Sequence, residues 1–140
     1  MISLDQAREM IAVARAKGRE MGLKPLSVVV LDAGGHVLAF EREDGASPGR
    51  FEIARGKAYG AVMLGMPGSA QMARAEAQAY FMAAVNGAYG GKVVPVPGGV
   101  LVKDAAGAVI GAVGVTGDTS DNDAVAAVTG IEAAGFEAVA

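Results

Sequence analysis

Apolar positions in the first twenty residues recur at steps of three and four: Leu4, Ala7, Ile11, Ala14, Gly18 and Met21 share one face of a helix. Ser3 and Gln6 have the spacing of a capping box, which satisfies backbone donors at a helix start. Gly22 predicts the stop, with Pro25 just beyond it. Arg8, Arg15, Lys17 and Arg19 fall on the other faces. The period then changes. Ser27-Val28-Val29-Val30-Leu31 is a β-branched run, followed by Asp32-Ala33-Gly34-Gly35 and by a second run from His36 to Glu41. This predicts a β-hairpin, its Gly pair supplying the positive φ angles of a tight return.

Beyond the exit segment Arg42-Glu43-Asp44-Gly45-Ala46, Ser47-Pro48 predicts the start of a helix carrying Phe51, Ile53, Ala54, Ala58, Val62 and Met63. Gly65 and Met66-Pro67-Gly68 end it. Ser69 is the N-cap expected for a third helix reaching about Ala84, with a loop over Asn86 to Gly91. Val93-Val94-Pro95-Val96-Pro97 reads as a short edge strand or an extended connection, because each proline removes a backbone donor. After the Gly98-Gly99 turn, Val100 to Lys103 and Ala108 to Thr116 form a second hairpin. In its long strand, Gly111 and Gly114 predict close approach of another backbone. Thr119 to Asp123 opens a last helix that Gly135 ends. The order α-β-β-α-α-β-β-α, without a dividing linker, predicts one domain over residues 1–140 of α+β class: an antiparallel sheet of two hairpins with helices packed on it.

Composition adds an expectation about assembly. Gly included, the apolar share is about 65%, against roughly 45–50% in ordinary domains, and charged residues are 19%. A lone small domain cannot hide that much apolar surface, so the expected partner is a second copy of this chain. Net charge is −3 with no basic run, which argues against nucleic acid as a partner. Without cysteine there is no disulfide and no thiolate chemistry, and a single His rules out a multi-His metal cluster. No apolar run is long enough for a membrane span, and Met1-Ile2-Ser3-Leu4-Asp5 has none of the charge pattern of a signal peptide. A cytoplasmic location with no membrane partner is therefore expected.

His36 is the only imidazole, a side-chain type that ligates haem iron. It is expected at the surface beside a Gly-Gly turn and without an orienting partner, so haem binding should not depend strictly on it. Lys57 sits among Ala54, Ala58 and Ala61, either snorkelling to the surface or pairing with an anionic ligand. Glu41, Arg42, Glu43 and Asp44 form a mixed charge run at a strand end. Asp118, Asp121 and Asp123 lack EF-hand spacing and read as helix capping. Neither a P-loop nor a nucleophile elbow occurs.

Three segments in this order resemble the GlcG/HbpS family, also called the haem-degrading domain family, which includes the carboxy-terminal domain of PduO-type proteins. They are Val30-Leu31-Asp32-Ala33-Gly34-Gly35-His36 through Phe40 to Ala46, Ile53-Ala54-Arg55-Gly56-Lys57-Ala58, and Pro97-Gly98-Gly99-Val100 through Val109 to Asp123. The resemblance implies a profilin-like α/β sandwich that builds homo-oligomers. It also implies a small-molecule ligand, with haem, a corrinoid-like tetrapyrrole or a small organic acid as the classes. The segments that carry it point to a binding site at Lys57, Gly98 and Gly99, with Glu41 and Arg42 flanking the entrance, for an anionic and partly apolar ligand. Two alternatives stand beside binding. One is an enzyme acting on a small carbonyl or carboxylate metabolite through Lys57; the other is a purely structural assembly subunit.

Overall fold

The computed structural model describes residues 1–140, and both hairpins form in it. Strand β1 (Ser27–Asp32) pairs with β2 (Val37–Arg42), and β3 (Gly99–Lys103) pairs with β4 (Val109–Thr116). The hairpins join through β1 and β4, with Val29 opposite Gly114. A fifth strand, β5 (Glu137–Val139), extends the sheet beyond the two hairpins by pairing antiparallel with β3, Leu101 opposite Val139. The order across the sheet is β2-β1-β4-β3-β5.

Strand alternation then builds two cores. Val28, Val30, Val100, Val102, Val113 and Val115 face helices α1 (Leu4–Glu20) and α5 (Ser120–Ala133), which contribute Met10, Ile11, Ala14, Ala126, Ala127 and Ile131. Val29, Leu31, Leu101 and Ala112 face α2 (Arg50–Leu64) through Ala54, Ala58 and Ala61. The result is an α+β sandwich with helices on both faces of the sheet. Helix α2 lies so close that a Cβ on Gly114 would stand 2.0 Å from the Ala54 carbonyl oxygen. That is the close approach expected of the glycines in this strand, and it explains why α2 presents alanine to the sheet.

The first helix has its capping box, with Ser3 Oγ accepting from the Gln6 N–H and Gln6 Oε1 accepting from the Ser3 N–H. Elsewhere the boundaries move. Helix α2 starts at Arg50 behind Gly49 instead of at Ser47-Pro48, and Ser47 accepts a hydrogen bond from Arg50 Nε. The expected third helix is two helices, α3 (Gly68–Ala77) and α4 (Ala79–Ala88), broken at Gln78, whose φ of −141° and ψ of 66° are not helical. Helix α4 takes in Asn86, Gly87 and Ala88 of the expected loop. The Asn86 side chain accepts from the Val93 N–H at 2.9 Å and ties the next segment to the helix. Val93 to Pro97 forms no strand, so of its two readings the extended connection holds.

Candidate functional site

Lys57 projects from α2 toward the end of the sheet where β4 finishes and β3 begins. It is 3% exposed, and its Nζ donates to the Val115 carbonyl at 3.0 Å and to Asp123 Oδ2 at 3.1 Å. Asp123, in the first turn of α5, is 1% exposed, and its Oδ1 accepts from the Asp118 N–H. Burial pushes the Lys57 amine down and the Asp123 carboxyl up, and each charge opposes that effect in its partner. The pair therefore joins α2, β4 and α5 at one point. Gly98, at φ +112°, roofs it: a Cβ there would lie 2.6 Å from the Val115 oxygen and 2.9 Å from Lys57 Nζ. Above the roof is a cavity of about 230 Å³ bordered by Ser69, Pro97, Gly98, Gly99, Asp121 and Ala124. Lys57 is not part of its wall.

Lys57, Gly98 and Gly99 thus come together, whereas Glu41 and Arg42 stand apart from them. Glu41 is opposite Val28, so alternation turns it to the α1 face, where it pairs with Arg15. Glu43 also holds Arg15 and accepts from the Leu26 N–H. Arg42 is exposed at the end of β2, opposite Ser27, and makes no ion pair. Arg50, which the sequence reading passed over, donates to Thr116 Oγ1 at 2.8 Å on the α2 side, and its charge lowers the Lys57 pKa further. The acids near α5 divide their work differently from the capping expected of them. Thr119 caps the helix by accepting from the Asn122 N–H, while Asp118 accepts from the Lys24 N–H and from the Asn122 side chain. These bonds hold the Asp118 carboxyl down at about 2.

The turn of the first hairpin is a second polar cluster. Asp32 Oδ1 accepts from the N–H groups of Gly34 and His36, both at 2.9 Å, and the same oxygen lies 3.3 Å from His36 Nδ1. Those backbone donors, His36 first, hold the Asp32 carboxyl below its ordinary value. The His36 side chain is 82% exposed, as expected of a turn residue. Asp32 is the carboxylate beside its ring, at a distance that leaves the two without a side-chain hydrogen bond. On one side of the turn is a cavity of about 470 Å³ with apolar walls from Ile2, Leu38 and Ile110. On the other is one of about 340 Å³ bordered by Arg55, Tyr59 and Lys92. Gly34 and His36 border both.

The family model described as "Haem degrading protein HbpS-like" matches residues 2–132. The chain belongs to the HbpS-like family. Among solved structures, a PduOC:heme complex superposes with a TM-score of 0.86 at 23% identity, covering 99% of this chain and 98% of that one, a likeness of fold. Klebsiella pneumoniae protein ORFY matches with a TM-score of 0.83 at 26% identity, over 95% of this chain and 90% of that one. A double mutant of Streptomyces reticuli HbpS gives 0.79 at 27%, over 94% and 85%. No curated protein matches.

Haem is the group that the description of the HbpS-like family implies. The cavity at Gly98-Gly99 is smaller than the roughly 300–1,000 Å³ of usual ligand pockets and carries the acid Asp121, a poor neighbour for propionates. The first hairpin turn fits better. It combines an imidazole beside a carboxylate, an apolar wall and two cations, Lys92 and the Glu52-paired Arg55. No helix of this HbpS-like chain is long and apolar enough to cross a membrane.

Proposed function

We propose that this chain is a cytoplasmic homo-oligomer that binds a small carboxylated ligand with an apolar body, haem or a related tetrapyrrole foremost. The observation that carries the reading is the meeting of an apolar and a cationic cavity at one turn, matching the two ends of such a ligand. The relative crystallised as a heme complex supports it at the level of the fold. The smaller cavity at Gly98 and Gly99 is the place proposed for a small ligand, with Lys57 shaping the turn from beneath. Because the amine of Lys57 is 3% exposed and already paired, binding is favoured over proton transfer by that residue. Exposed Tyr80, Phe81 and Val125 supply apolar surface for self-association.

Hemin titration followed at the Soret band tests the ligand, and light scattering after size exclusion tests the assembly. A saturable spectral change and a mass of several chains are expected. Unsaturable, detergent-like uptake of hemin would overturn the ligand, and a stable monomer at micromolar concentration would overturn the assembly.

A further inference from the structure

We infer that the start of α2 carries a binding site for a small phosphate-type oxyanion, held between the guanidinium groups of Arg42 and Arg50 over the hydroxyl of Ser27. The site lies at the far end of the first hairpin from its turn and shares no residue with the cavities at that turn and at Gly98. Three observations carry it. The first is a row of side chains across the sheet. Arg42 is opposite Ser27 and Ser27 is opposite Thr116, so all three share one face. Alternation from Val29, Leu31 and Phe40 makes that the α2 face. The rings of Phe40 and Phe51 meet edge-on at 4.8 Å and pin the end of β2 to the first turn of α2. Arg50, from that same turn, reaches Thr116 Oγ1 at 2.8 Å, so the two arginines bracket Ser27.

The second observation is positive charge without a partner. Arg15 holds Glu41 and Glu43, Arg55 holds Glu52 and Lys57 holds Asp123, while Arg42 and Arg50 pair with no carboxylate. Asp44, two residues beyond Arg42, is exposed and pairs with neither. Arg50 gives its Nε to Ser47 Oγ and its Nη1 to Thr116 Oγ1, which leaves the Nη2 donors free. Gly49 caps α2 without a side chain, and no side-chain hydrogen bond closes the first turn, so the positive end of the helix adds to the same field. The third observation is an orphaned group. Ser27 Oγ is fully buried between the two arginines in the row and has no hydrogen-bond partner, which a buried hydroxyl requires. Arg42 is exposed and Arg50 half-buried, so both can shift to admit an oxygen to it. One guanidinium fork already satisfies the two oxygens of a carboxylate. Two of them with a hydroxyl and a helix end match the larger oxygen set of a phosphoryl group.

The test is titration of the full chain with inorganic phosphate at constant ionic strength, read by phosphorus NMR line width and by Tm, with acetate as the control. Phosphate should bind saturably and raise Tm, and acetate should do neither. Arg42→Gln removes an exposed side chain that makes no hydrogen bond, so it should weaken phosphate binding several-fold at unchanged Tm of the free protein. Arg42→Gln with Arg50→Lys, which also removes the second fork, should weaken it about tenfold or more. Ser27→Ala deletes the orphaned hydroxyl and should shrink the rise in Tm that phosphate gives. Methyl phosphate in parallel separates the sources: tighter binding than phosphate assigns the site to an ester, equal or weaker binding to the free anion. A rise in Tm no larger than that with acetate would overturn the site. Unchanged phosphate affinity in a folded Arg42→Gln variant would overturn the pairing of the two arginines around one anion.

Discussion

The two carboxylate-to-nitrogen pairs of this chain have similar chemistry and opposite settings. Lys57 and Asp123 are 3% and 1% exposed and use their hydrogen-bonding groups on one another and on the backbone. Asp32 also bonds backbone donors, but the imidazole beside it is 82% exposed. A buried pair with internal partners fastens structure, and it is costly to break because each charge was taken out of water for the other. An exposed pair is screened by water and fastens little. A pair that holds the fold thus differs from one that stands open to solvent, although both lie in segments that carry the family resemblance.

The largest expected effects break the buried side. Lys57→Met strands the Asp123 carboxylate and should cost about 3–5 kcal/mol, lowering Tm by on the order of 10 °C. Lys57→Met with Asp123→Leu removes both charges and should recover part of that loss, as paired replacement of buried ions by apolar groups usually does. Gly99→Ala should be as damaging, about 4 kcal/mol, since its Cβ would fall 2.2 Å from the Lys57 carbonyl oxygen, a backbone atom that cannot swing away. Urea unfolding measures all three. A Lys57→Met midpoint within error of the unmodified protein would show that the pair holds nothing together.

The legibility of these two regions in the sequence differed for a physical reason. Hairpins, the Ser3–Gln6 cap and the close approach at Gly111 and Gly114 follow from local periodicity and backbone freedom, which act within a few residues. The break at Gln78 and the strand Glu137–Val139 depend on tertiary context, since Gln is no helix breaker and three residues carry no period. The Lys57–Asp123 pair spans 66 residues, yet a signal for it existed. Lys57 lies on the stripe of Ala54, Ala58 and Ala61, and Asp123 on that of Ala126, Ala127, Gly130 and Ile131, so each charge occupies a buried helix face. Two charges of opposite sign on buried faces call for one another. Glu41 was misplaced for the converse reason: counting alternate residues from Val28 through the hairpin register puts it on the α1 face, but that register became fixed only once β1 and β2 were paired.

Acid titration sharpens the comparison through its signs. Burial raises the Asp123 carboxyl above the ordinary 3.8, so its contribution to stability is fully present below that value and is lost as pH rises through the raised one. Backbone donors lower the Asp32 carboxyl, so its contribution is present above 3.8 and is lost as pH falls through the depressed value. Carboxyl carbon NMR shifts followed through the acid range should show Asp123 titrating above Asp32. Asp32→Asn should flatten the acid limb of the stability curve. The reverse order of titration would contradict the assignment of one carboxylate to the interior and the other to backbone donors at the surface.

The smallest expected stability effect falls on the exposed side. A Cβ on Gly34 would meet only the imidazole of His36, at 2.9 Å, with the Asp32 oxygen next at 3.4 Å. Gly34 has no positive φ, unlike its neighbour Gly35 at +82°, so alanine is tolerated by the backbone there. The ring is exposed and can rotate away, and Gly34→Ala should therefore cost less than about 1 kcal/mol, in contrast to the same substitution at Gly99. What it should change is the placement of the imidazole at the proposed site, because the ring loses the bare surface on which it rests. Hemin affinity should then fall several-fold at nearly unchanged Tm. A Gly34→Ala protein with normal hemin affinity and a normal Soret maximum would show that the orientation of His36 carries no binding energy. A Tm loss as large as that of Gly99→Ala would show instead that the turn belongs to the rigid frame, and the contrast between the two regions would not hold.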